Sequence, residues 1–116
     1  MIQAKDIEHV LFNEIDNTNQ VIMYLEGNDW CAYERSAYFL AAKKESVVLQ
    51  KEVVGEGYDV VLLKAYFPME ELDLPLSKGL TLKFVADGRL QFLLEDKVDG
   101  GHFPEWKKKQ LEKMSA

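Results

Sequence analysis

Cys31 is the only cysteine of this chain, and His9 and His102 are its only histidines. A thiol becomes a nucleophile when an imidazole or a cation beside it holds it ionised. Cys31 stands between Trp30 and Ala32 with neither histidine placed beside it by a local signature. That setting suits a small buried apolar residue. The acids gather loosely as Glu70, Glu71 and Asp73, and again as Glu95, Asp96 and Asp99. Neither group keeps the alternating oxygens and closing glutamate of a calcium loop, so both read as solvated surface acids. Carboxylate pairs that do catalysis meet in space rather than in sequence, and none is singled out here. Gly55-Glu56-Gly57 and Gly100-Gly101-His102 lack the lysine and hydroxyl that end a phosphate-cradling loop, and both adjoin acids. They read as turns. No catalytic residue, metal ligand or cofactor is expected.

Binding residues are easier to nominate. Lys107, Lys108 and Lys109 form the one concentrated positive patch and are the candidates for phosphate contact. Glu105 and Glu112 dilute them, and basic residues on a C-terminal helix also read as a solvated face that suits the helix dipole. Tyr24, Trp30, Tyr33, Tyr38 and Phe39 make a dense aromatic set. Such rings fill a core, stack on bases or anchor an interface. Trp30 directly follows the polar turn Gly27-Asn28-Asp29, which makes it the ring of this set best placed for exposure. Trp30, Tyr33, Asn28 and Asp29 are therefore the expected binding residues.

Bulk composition bounds the partners. The 116 residues make one domain spanning 1–116, and 47% apolar with 11% aromatic content suits a folded globule. No apolar run approaches the length of a membrane span. The opening MIQAKDIEHVLF carries acids and no signal-peptide pattern, so the expected compartment is the cytoplasm. One cysteine allows no intrachain disulfide, in keeping with a reducing compartment. Net charge is −6, from 14 basic and 20 acidic side chains, and Arg35 and Arg89 are the only arginines. Unaided grip on nucleic acid draws on many Lys and Arg contacts to phosphate, so the balance weighs against it and against an anionic membrane surface.

The elements that must position these residues follow from periodicity. Ile7, Val10, Leu11 and Ile15 share one helical face over residues 3–15, with Lys5, Glu8 and Glu14 elsewhere. Asn17, Thr18 and Asn19 break that helix. Gln20 to Glu26 is apolar in both directions, as an interior strand is, and Trp30 to Glu34 pairs with it. Ser36 is placed to cap a helix reaching Lys44. Ser46 to Val54 and Tyr58 to Phe67 read as strands joined at Gly55-Glu56-Gly57. Pro68 closes the second, and Met69 to Leu74 make a helical turn before Pro75. Leu80 to Ala86 and Arg89 to Glu95 flank Asp87-Gly88, a strong two-residue hairpin signal. A last helix runs from Pro104 to Met114. The sum is an α/β, α+β-like domain, with a single mixed β-sheet of about six strands packed with helices near both termini.

Read together, Val21 to Leu25, Gly27, Asn28 or Asp29, Trp30, Tyr33 and Ala37 resemble the N-terminal mismatch-recognition domain of the DNA mismatch-repair protein MutS. In that family an apolar strand leads through a glycine-aspartate turn to an aromatic pair and then a helix. FPMEELDLPL, Phe67 to Leu76, is similar to the family's proline-bearing strand end and following helix. The resemblance implies a mixed sheet with helices and a wedge aromatic at Trp30. The family's glutamate two residues after the wedge is replaced by Ala32, and 116 residues hold no ATPase or clamp. It therefore implies a detached, altered, non-catalytic module contacting nucleic acid or a DNA-processing protein. The alternative is a protein-interaction or regulatory domain unrelated to DNA, such as a homodimer joined at a sheet edge or aromatic patch.

Overall fold

Short apolar runs of this chain pair as successive antiparallel strands, which the computed structural model lays side by side in one sheet. It describes residues 4–15, 17–43, 47–54, 60–71, 80–86, 88–95 and 100–115. The expected helix end at Lys44, Ser46, the Gly55-Glu56-Gly57 turn, Tyr58, the continuation Leu72 to Leu74 with Pro75, Asp87, and the acids Asp73, Asp96 and Asp99 lie outside those residues.

Helix α1 (Ala4–Ile15) leads to strands β1 (Gln20–Glu26) and β2 (Asp29–Tyr33), then to α2 (Glu34–Lys43). Strands β3 (Val48–Val54) and β4 (Val60–Pro68) follow, then β5 (Leu80–Ala86), β6 (Arg89–Leu94) and α3 (Phe103–Ser115). Single 3-10 turns occupy Met69–Glu71 and Gly100–His102. The six strands lie in the order β3-β4-β2-β1-β6-β5. The α/β class, the strand number and the helices near both termini are as expected. Every pairing among the described residues is antiparallel, where the sequence reading had a mixed sheet.

Glu26 pairs with Asp29, so the first hairpin turns on Gly27 and Asn28 alone. Gly27 supplies a φ of 62°, which the first central position of a type II′ loop requires. Asp29 is thus the first residue of β2 rather than part of the turn. Strand alternation then assigns the faces. Val21 and Met23 of β1, Trp30 and Ala32 of β2, Ala65 and Phe67 of β4, and Leu90 and Phe92 of β6 share one buried cluster with Ala37, Phe39 and Leu40 of α2. Helix α3 extends this layer through Trp106, whose ring centroid lies 5.1 Å from that of Tyr38. On the opposite face Cys31, Tyr33 and Leu62 form a second cluster with Val10 of α1. Helices therefore cover both faces of the central strands, and β1 is apolar in both directions because it lies between them.

Candidate functional site

Strand β2 runs into α2 with no loop between them. Glu34 absorbs the change of direction at a φ of 54°, the only non-glycine residue at positive φ among those described. That region costs an L-residue about 1–2 kcal/mol, and such strain concentrates where function requires it. Glu34 is 8% exposed. Its Oε1 accepts from Lys107 Nζ at 2.6 Å, tying α3 to the start of α2, while its buried Oε2 has no hydrogen-bond partner among the described residues.

The free amides opening α2 find their acceptor on another helix. Ser36 lies inside the first turn, and its N–H donates to Glu14 Oε1 at 2.8 Å, so α1 caps α2 and Ser36 does not cap it. The Ser36 hydroxyl donates to Glu14 Oε2 at 2.5 Å, and Asn17 Nδ2 donates to Glu14 Oε1 at 3.1 Å. Ile22 N–H donates to Ser36 Oγ at 3.0 Å, which adds β1 to the knot. Glu14 is only 3% exposed. Burial pushes its carboxyl up to about 7 against these hydrogen bonds, and the nearby charge of Glu34 adds to the rise.

A groove of about 350 Å³ opens over this junction, lined by Leu11, Glu14, Ile15, Glu34, Arg35 and Phe103. The Arg35 guanidinium stands 5.2 Å from the centroid of the Phe103 ring. A strained residue, an unsatisfied buried oxygen and a carboxyl raised toward neutrality thus meet at one mostly apolar hollow. Coincidence of such features marks a functional-site candidate. Chemically, the hollow can hold an apolar group and offer acceptors to a donor beside it.

Matched against family models, curated proteins and solved structures, the chain has no counterpart in any of the three. The candidate site therefore stands on geometry. No group of three or more His, Cys, Asp or Glu gathers as a metal site among the described residues. No described helix is long and apolar enough to cross a membrane.

The residues nominated from sequence do not assemble. Trp30 is 7% exposed and belongs to the core under α2, which corrects its placement at the surface. Tyr33 is fully buried on the other face, where its hydroxyl donates to Glu26 Oε2 and Lys64 Nζ lies 5.9 Å from its ring centroid. Asn28 is exposed at the turn, its carbonyl accepting from Met69 N–H at 2.8 Å, and Asp29 is half-buried in β2. Lys107 is engaged by Glu34, which leaves Lys108 and Lys109 as the exposed pair of the triplet. Lys107→Met is expected to cost about 1–2 kcal/mol in chemical denaturation, because it strands a buried carboxylate. Lys108→Met and Lys109→Met should each stay within about 0.5 kcal/mol of the native protein.

Cys31 is buried, and burial, with the charge of Glu26 next, pushes its thiol up to about 12. It stays protonated at neutral pH and is no poised nucleophile. A disulfide reagent such as dithionitrobenzoate should label it only at the rate of unfolding, and fully once denaturant is added. Rapid native labelling at pH 7 would contradict this.

Sequence reasoning missed Glu14, Glu34, Arg35 and Phe103. One signal was present: Glu14 sits four residues after Val10 and three after Leu11, on the apolar stripe of α1. The reading put Ile15 on that stripe instead. Ile15 is 71% exposed, because the helix turns its carboxylate inward to the open amides of α2.

Proposed function

We propose that this protein is a non-catalytic binding module that receives a segment of a partner protein, an apolar side chain flanked by Lys or Arg, in the groove between α1, the start of α2 and α3. One observation carries the reading: a mostly apolar hollow of about 350 Å³ is walled by the strained residue Glu34 and by Glu14, two acids at its edge. The partner's apolar group would fill the hollow and, by excluding water, strengthen the attraction between its cation and those acids. The net charge of −6 favours a basic partner and speeds its approach. The nucleic-acid arm of the sequence expectation keeps Lys108 and Lys109 but loses its wedge, since Trp30 lies in the core.

Peptides displayed on phage and selected on the protein are expected to converge on Lys or Arg beside a branched or aromatic residue. The synthetic winners should lose about tenfold or more in affinity, some 1.4 kcal/mol, on Ile15→Asp. Ile15 is exposed, so that change leaves the fold intact. Absence of convergence, or winners indifferent to Ile15→Asp, would overturn the reading. A duplex-DNA gel shift that collapses with salt would move the partner to nucleic acid. A doubled mass in light scattering that Ile15→Asp halves would make the partner a second copy.

A further inference from the structure

Beside α1, on the face of the sheet that carries Tyr24, a second hollow of about 360 Å³ is lined by Phe12, Asn13, Asn17, Thr18, Asn19, Gln20, Ile22 and Gln91. Charged residues make up 29% of the chain, yet none of these eight is charged. Five are side-chain amides, and Phe12 stands 76% exposed at the rim. An aromatic ring of that exposure on a folded domain offers a bare apolar platform.

The amides are oriented by a relay whose direction chemistry fixes. A guanidinium only donates, so Arg89 Nη2, 3.1 Å from Gln91, must meet its oxygen. Gln91 Nε2 then donates to Gln20 Oε1 at 3.0 Å. The Gln20 N–H₂ group is left as a donor that meets no acceptor among the described residues. Backbone bonds hold the same residue in place, since Gln20 N–H donates to Asn17 Oδ1 and Asn17 Nδ2 donates to Gln20 O, each at 2.8 Å. The Thr18 hydroxyl and Asn19 amide are exposed nearby and are not spent on other described groups. The hollow therefore presents one apolar face, several neutral donors and acceptors already aimed, and no charge.

We propose that this hollow binds a neutral sugar, a pyranose whose C–H face lies on Phe12 and whose hydroxyls meet Gln20, Gln91 and Asn19. Hydroxyls both donate and accept, which matches amides better than it matches ions. The uncharged lining gives a phosphate or carboxylate nothing to neutralise it, which disfavours nucleotides and acidic sugars. Phe12 is the only ring in the lining, so a planar base would be stacked on one side only, whereas a pyranose needs one apolar wall and a polar rim.

The test is a titration of the nitrogen-15-labelled protein with glucose, galactose, mannose, N-acetylglucosamine and cellobiose, followed by NMR at concentrations on the order of ten millimolar. At least one sugar should give saturable shifts of the Gln20, Gln91 and Asn19 side-chain amides. Phe12→Ala should weaken that binding about tenfold with the rest of the spectrum unchanged, while Phe12→Trp should retain it. Gln91→Leu, which breaks the relay from Arg89, should weaken it as well. Absence of saturable shifts with every sugar, shifts indifferent to Phe12→Ala, or tighter binding of adenosine or cytidine than of any sugar would each overturn the assignment. The site lies apart from the groove at Glu34, so its failure would leave the partner-binding reading standing.

Discussion

Stability falls as pH rises from about 4.5 to about 7 and then levels off, and this component of the pH profile disappears in Glu14→Gln. Glu14 carries its ordinary value of 4.5 in the unfolded chain and about 7 in the fold. Below pH 4.5 both states hold the proton, and the full contribution of the protonated carboxyl is present. Between the two values only the folded state holds it, so unfolding is favoured progressively as the proton is withdrawn. Above 7 neither state holds it, and the loss is complete. The displacement corresponds to on the order of 3 kcal/mol. Other carboxylates titrate over part of this range, so the quantity to read is the difference between the native protein and Glu14→Gln in urea denaturation from pH 4 to pH 8.5. Glutamine keeps an oxygen for Ser36 N–H and Asn17 and carries no charge to desolvate. It is therefore expected to match the native protein in acid and to exceed it at pH 8. Glu14→Ala is different in kind: it leaves Ser36 and Asn17 donors buried without an acceptor, a loss of roughly 3 kcal/mol or more. A flat difference between native and Glu14→Gln would show that Glu14 ionises freely and that its junction is open to water.

The same residue shows where sequence reading stops. Helices, strands and hairpins are local patterns, and the chain declares them: Ala86 pairs with Arg89 beside Gly88, and β1 is apolar on both sides because α1 and α2 flank it. Side-chain direction depends on finer detail. A strand has a period of two, so starting β2 at Asp29 decides which face takes Trp30. With Gly27 and Asn28 alone in the turn, Trp30 and Ala32 fall on the core face and Cys31 and Tyr33 on the other. The aromatic surface expected from the turn was therefore a register question that composition could not answer. The groove at Glu34 was less accessible still. Its ion pair joins residues 73 positions apart, and the strain at Glu34 arises only because β2 abuts α2 directly. Three lysines in a row look alike in sequence, and tertiary packing alone distinguishes Lys107 from its two neighbours.

Trp30→Ala is accordingly expected to destabilise the whole fold rather than to blunt a contact. The indole sits among Met23, Phe39, Phe67 and Leu90 in the cluster under α2, with Phe67 directly across the strand pair. Removing it leaves a cavity in the middle of the sheet, which costs about 3–5 kcal/mol. For a domain of this size that lowers the melting temperature by roughly 10–20 °C, and it consumes much of the about 5–15 kcal/mol that holds a typical native state. Trp30→Phe separates packing from polarity. The indole N–H has no hydrogen-bond partner among the described residues, so phenylalanine gives up area but also removes an uncompensated donor. Those two effects oppose one another, and the net cost should stay near 1 kcal/mol. Emission from Trp30 should be blue-shifted in the native state and move red with the unfolding transition, with Trp106→Phe as the background that isolates it. An alanine variant that keeps its melting temperature while losing a ligand would return Trp30 to the surface. Because the side chain lies in the cluster between α2 and the sheet, its loss instead loosens the layer that holds Glu34 and Phe103 in register, so partner binding should disappear together with the fold and not before it.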